Sequence, residues 1–283
     1  MRSSLPGKIR PQQAAGSRLQ RRSLLLCLAA ATLASSFASS RAEADCAIPS
    51  RRRLAYDMRV SGVRIADLEL RFQCAGSFAL VEMQLTNRGL ASFFAGRNRT
   101  AMNALVGFDQ AGRPMPTRFR ASYQKPDRLR ETELEFAPDG GLTHLVTRNQ
   151  GRPQESPVPE ALREPSIDPL ATLMSLSDWL ASGAEPGETV SFPVFEGRKR
   201  ADLEAIYRGP ASVELGGRTR DAHRLEAALQ GISGFDETDN FVTLPGEPRD
   251  WIDVYASTDP LPVPLLISNT SSRLPTRIEL TSW

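Results

Sequence analysis

The chain has 283 residues, with 35 Lys and Arg against 33 Asp and Glu for a net charge of +2, and 40% of its residues are hydrophobic. A balance this close to neutral excludes a strongly basic nucleic-acid binder. The length suffices to bury a full core without metals or a dense disulfide framework.

The chain opens on an export signal. Arg18, Arg21 and Arg22 form a basic region, and Leu24 to Leu33 supply an apolar core too short to span a bilayer. Ala42-Glu43-Ala44 fits the small-x-small cleavage rule, with Ser36-Phe37-Ala38 as a second fit. Residues 1–44 are therefore assigned to a signal peptide and 45–283 to a single periplasmic domain. Arg21-Arg22 before Ser23-Leu24-Leu25 resembles a twin-arginine signal, but the general secretory (Sec) route is the expected one. Leu26 stands before Cys27 where a lipoprotein signal has a small residue, so no lipid anchor is expected. Cleavage after Ala44 removes seven basic residues and one acidic residue, turning +2 into −4. The apparent basicity belongs to the signal. No later apolar run reaches spanning length, so a soluble exported product is expected, with no transmembrane segment and no nucleic-acid partner.

Cys46 and Cys74 then remain, an even pair in an oxidising compartment, and they are predicted to form a disulfide. From Leu54 the pattern is one of strands. Leu54, Tyr56, Met58 and Val60 alternate with Ala55, Asp57 and Arg59, Gly62 turns the chain, and Ala66, Leu68, Leu70 and Phe72 alternate with Asp67, Glu69 and Arg71. Phe78 to Thr86 adds a third strand. Gly89 to Gly96 interrupts with an apolar segment in which Phe93 and Phe94 are either a packed corner or part of a ligand lining. Strands follow over 100–108, 117–123, 128–136 and 142–147, separated by turn signals at 109–112 and 138–141. Gln150 to Pro165 shows neither period and reads as an extended connection.

Asp168 to Gly183 is the one segment with helical periodicity and both ends marked. Asp168 is the N-cap, Pro169 occupies the first turn and Gly183 stops the helix. Leu170, Leu173, Met174, Leu176 and Leu180 share one apolar arc, and Trp179 points elsewhere. Strands return over 189–195, 200–207, 211–215 and 221–229, with hairpins at Glu196-Gly197-Arg198-Lys199 and at Gly216-Gly217. A polar loop over 231–248 precedes the last strands at 251–256, 263–268 and 277–280. The predicted fold is mainly β: a single domain with a long curved antiparallel sheet, a half-barrel or β-spiral, wrapped around one amphipathic helix.

With these pieces in order the chain resembles the bacterial envelope family known as domain of unknown function 3108. The resemblance rests on Leu54-Ala55-Tyr56 with Gly62 following, Asp168-Pro169-Leu170, Phe195-Glu196-Gly197-Arg198-Lys199-Arg200, and Asp259 with Pro262-Val263. Ala66 stands where the family has a second small turn residue, usually glycine. The resemblance implies a periplasmic protein with a strongly curved sheet around a helix, similar to the half-barrels that carry lipoproteins between membranes. Shared architecture does not transfer activity.

No catalytic constellation emerges. His144 and His223 each lie in a predicted strand without a partner at metal-ligand spacing, and Asp236 to Asp239 lacks the glycine and glutamate of a calcium loop. Gly231-Ile232-Ser233-Gly234 misses the spacing of a nucleophile elbow. No enzyme, metal or cofactor is expected. Arg198, Lys199 and Arg200 at a hairpin are the candidate contact for an anion or head group, ahead of Arg51-Arg52-Arg53. Leu170, Leu173, Met174, Phe93 and Phe94 are the candidate apolar lining. The expected function is a non-enzymatic cell-envelope protein that binds a lipid-like or hydrophobic ligand on the concave face of the sheet. The alternative is a protein-interaction scaffold for envelope maintenance.

Overall fold

The computed structural model describes residues 51–89, 98–236, 242–244, 247–269 and 275–283. The chain divides into Met1–Ala42 and Glu43–Trp283, and all described residues belong to the second unit. Cys46, Phe93 and Phe94 lie outside the described residues.

Two meanders make the fold. The first runs through β1 (Arg52–Val60), β2 (Val63–Ala75), β3 (Phe78–Asn87), β4 (Arg99–Phe108), β5 (Pro114–Lys125), β6 (Arg128–Phe136), β7 (Leu142–Asn149) and β8 (Arg152–Gln154). Helix α1 (Pro169–Ala181) then leads to the second: β9 (Thr189–Phe195), β10 (Arg200–Leu215), β11 (Arg218–Ser233), β12 (Ile252–Ser257), β13 (Pro264–Asn269) and β14 (Thr276–Ser282). Among the described residues all 14 strands form one curved antiparallel sheet in the order β8-β7-β6-β5-β4-β3-β2-β1-β14-β13-β12-β11-β10-β9. The first and last strands therefore pair in its middle, with Tyr56 opposite Leu280 and Val60 opposite Thr276. The sheet does not close. Near its edge β9 takes one short parallel partner, as Ile167 donates to the Pro193 carbonyl and accepts from the Phe195 amide at 2.8 and 2.9 Å.

Alternation along each strand separates the two faces. Leu54, Phe72, Val81, Ala104, Phe119 and Leu134 point inward and are buried. The outward positions are charged and pair across strands: Arg118 with Glu135 at 2.9 Å, Arg53 with Glu69 at 2.7 Å and Arg224 with Asp253 at 2.8 Å. A barrel facing lipid carries an apolar band at these heights; this outer face is built for water. No helix among the described residues is long and apolar enough to cross a membrane.

The helix forms as its sequence signals. One carboxylate oxygen of Asp168 accepts from the amides of Leu170 and Ala171, both at 2.9 Å, Pro169 opens the first turn, and Gly183 follows the Ser182 cap at φ 90°. Its burial is wider than one arc. Leu170, Ala171 and Met174 pack in a core drawn from both meanders, with Val81, Phe119, Phe195 and Leu265, while Leu180, with Leu176 and Trp179, packs against Ala205, Leu225 and Val254 of the second. Trp179 thus packs half-buried against the second cluster, correcting the expectation that it points away, and its indole N–H donates to Glu188 at 3.0 Å. Burial on two sides follows from a sheet that wraps the helix rather than lying beneath it.

Two further expectations need correction. Residues 200–215 are a single strand, because a bulge between Tyr207 and Gly209 absorbs the irregularity and lets Pro210 stay in register opposite His223. The stretch 150–165 is not wholly irregular, since Arg152–Gln154 pairs with β7 as a short edge strand and Glu160–Leu162 makes one 3-10 turn.

Candidate functional site

Register places whole rows of side chains on the concave face. One row runs Tyr56, Leu68, Leu85, Thr100, Tyr123, Arg130 and Asn149 from β1 to β7. The next runs Leu54, Leu70, Met83, Met102, Ala121, Thr132, Thr147 and Gln154, reaching β8. Both are apolar over β1 to β3 and polar from β6 onward. The inward face therefore changes chemistry along the hydrogen-bonding direction, with no break in the sheet.

The polar end receives the tip of the β9–β10 hairpin. Gly197 there has φ 91°, and a Cβ on it would sit 2.3 Å from the Thr132 methyl, 3.3 Å from Leu145 and 3.4 Å from Leu134. Only glycine fits. Its carbonyl accepts from the Ser156 hydroxyl at 2.6 Å. The Tyr123 hydroxyl donates to the Glu196 carboxylate, and burial, then the neighbouring Glu196 charge, pushes the phenol well above its ordinary range. Contacts between β5–β7 and this tip thus bridge the two meanders across the open side of the sheet.

The three basic residues of the tip do not act together. Arg200 is buried, donates to Asp202 at 2.7 Å and to the Ala201 carbonyl, and so serves its own strand. The Lys199 ammonium lies 5.2 Å from the centre of the Phe235 ring, a cation–π distance. Arg198 is half-buried and donates to the Gln154 amide oxygen at 3.0 Å. Burial, and then the like charge of Arg130, lowers its pKa, while Glu196 opposes them. Arg130 itself makes no hydrogen bond or ion pair among the described residues, and its buried Nε has no partner. The Asn149 amide oxygen and the Thr132 hydroxyl beside it are also buried without partners. Arg130 escaped the sequence reading because it sits in an alternating strand whose inward face is half polar; only register reveals what it stands beside.

The apolar candidates divide. Leu170 and Met174 are sealed in the core, and Leu173 packs half-buried against it. Met58, Leu68, Met83, Leu85, Met102 and Ile278 form a different inward patch, half-buried throughout, in which Leu68 and Leu85 belong to the row that reaches Arg130 and Asn149. Period-two alternation marked most of them as inward, but not as the part of the concave face left partly open.

The remaining candidates hold other positions. Cys74 lies half-buried in β2 against the core. His144 is exposed on β7, and His223 lies 2.9 Å from the Tyr207 hydroxyl, its pKa lowered by burial. Gly234 closes on the tip, where an added Cβ would meet the Arg198 carbonyl at 2.1 Å.

The profile of a family described as "Protein of unknown function (DUF3108)" matches residues 55–278. No curated protein matches the chain. Among solved structures, it is similar to the "Beta-barrel-like Protein of Domain of Unknown Function DUF1849 from Brucella abortus", with 10% identity, 81% of this chain and 95% of that one covered, and a TM-score of 0.48.

Proposed function

The chain belongs to the DUF3108 family, whose function is unknown, and from its concave face we propose that it is an exported, non-enzymatic cell-envelope protein that binds an amphiphilic, lipid-like ligand. The half-buried patch of Met58, Leu68, Met83, Leu85, Met102 and Ile278 carries this reading. Apolar surface left in contact with water inside a concavity costs about 25 cal/mol per Å² relative to covering it, and covering it is what an alkyl chain does. Methionine suits the task, since its unbranched thioether adapts to flexible guests. The polar end of the same rows offers guanidinium, amide and hydroxyl groups, which hold ligands. The phenol–carboxylate pair there is used in bridging the meanders.

Export to the periplasm, with removal of residues 1–44, is supported by the basic and apolar runs before Ala42-Glu43-Ala44. In that oxidising compartment Cys46 and Cys74 form a disulfide that ties the segment before β1 to β2. The charged outer face fits an aqueous setting.

The test is native mass spectrometry of the protein purified from the periplasm without detergent, followed by organic extraction. A stoichiometric lipid-sized adduct that extraction removes, on a chain beginning at Asp45 and lacking two thiol hydrogens, is the expected result. A clean ligand-free mass, unchanged by incubation with short-chain lipids, overturns the reading and favours a scaffold that works through a protein partner.

A further inference from the structure

Arginines of the outer face are typically matched by carboxylates, as in the pairs Arg53–Glu69, Arg118–Glu135 and Arg224–Asp253. The concave face departs from this. Arg130 lies two residues along β6 from Thr132, which faces Gly197, and Arg198 follows Gly197 and is bonded to Gln154 of β8, so the two share the polar end and the charge of one is felt at the other. One carboxylate, that of Glu196, acts on Arg198 and also accepts from Tyr123. Two half-buried guanidinium groups beside a single carboxylate leave one positive charge unmatched, and a bound anion relieves that state. The unpartnered atoms describe the missing group further. The Arg130 Nε is a donor seeking an acceptor, and the Asn149 amide oxygen is an acceptor seeking a donor. An anion that also carries a hydroxyl satisfies both.

Position supplies the rest. Arg130 shares its row with Leu85 and Leu68, three and four strands away. Strands are spaced about 4.8 Å apart, so roughly 15 to 20 Å separates the charge from the apolar patch, the span between head and chains of an amphiphile. We propose that Arg130 and Arg198 grip the phosphate of an anionic phospholipid with a hydroxyl-bearing head group, whose chains lie over the Met58–Met102 patch. Arginine forks match phosphate oxygens through paired N–H bonds, which a point charge does not reproduce. The proposal rests on the amphiphile reading above and specifies its head group.

The probe is dihexanoyl phosphatidylglycerol below its micellar concentration, titrated calorimetrically into the periplasm-purified protein. The comparison ligands are dihexanoyl phosphatidylcholine, dihexanoylglycerol and glycerol phosphate. Phosphatidylglycerol should bind tightest. Arg130→Met and Arg198→Met should each weaken it about tenfold, the scale of a charge-assisted hydrogen bond, and leave dihexanoylglycerol unchanged. Arg130→Lys and Arg198→Lys, which keep charge but not fork, should recover part of the loss. Thermal melts confirm that the variants fold, and the lysine forms carry the test if a methionine form does not. Equal binding of dihexanoylglycerol and phosphatidylglycerol, insensitive to both arginines, overturns the head-group site while leaving the amphiphile reading intact. Glycerol phosphate binding as tightly as the lipid, with the same sensitivity, overturns the lipid source in favour of a free phosphate ester. Binding of no ligand overturns both readings.

Discussion

Gly197 occupies a position where two constraints coincide: a left-handed backbone and a wall of Thr132, Leu145 and Leu134 against its missing side chain. Either alone disfavours alanine. Gly197→Ala is expected to cost about 2 kcal/mol or more in urea denaturation, and to loosen the Tyr123–Glu196 and Arg198–Gln154 bonds with it. Unchanged stability would show that the tip is not held as described. Asp168 is the second residue with an outsized role. Burial raises its pKa from 3.8 to about 7, and one of its oxygens has no partner. The native state then keeps a proton that the unfolded chain has released across that interval. Its contribution is complete below pH 3.8 and is lost as pH rises through about 7. Asp168→Asn keeps the cap and removes the titration. Relative to wild type it should therefore gain stability, by a few kcal/mol at most, between about pH 4 and 7. Parallel stability–pH curves for the two proteins would refute the raised pKa.

At the scale of elements, α1 spans two core clusters. Met174 packs in the cluster drawn from both meanders and Leu180 in the one built on the second. Truncating either to alanine should cost about 2 to 5 kcal/mol, and the losses should add in the double variant because the two share no partners. Strong non-additivity in chemical denaturation would mean that the helix couples the cores. The helix was legible in the sequence because cap, proline, periodicity and terminal glycine all mark it locally. The alternating strands were legible for the same reason. What stayed hidden depends on distance along the chain. Tyr123 and Glu196 are 73 residues apart, and nothing in either segment announces the other. β8 is three residues long with Pro153 at its centre, too short to show a period. Pro210 suggested a break that a bulge removes.

The whole molecule is two meanders joined at a seam where β1 meets β14, and bridged again by the hairpin tip. A Cys46–Cys74 bridge would fasten the chain just ahead of that seam. Cys74→Ser is expected to lower stability by about 3 kcal/mol in the chain-entropy account, and reductant should do the same to wild type only. Equal melting of both forms with and without reductant would exclude the bridge. The seam also governs the order in which the molecule can come into being. β1 (Arg52–Val60) is made long before its second neighbour, β14 (Thr276–Ser282). Until more than two hundred further residues have followed, one side of β1 offers open backbone to any strand that passes. Contacts so distant in sequence fold slowly, and an open edge invites wrong pairing. The nascent chain is therefore vulnerable over the whole interval between those two strands, and kept from maturing within it by the same feature.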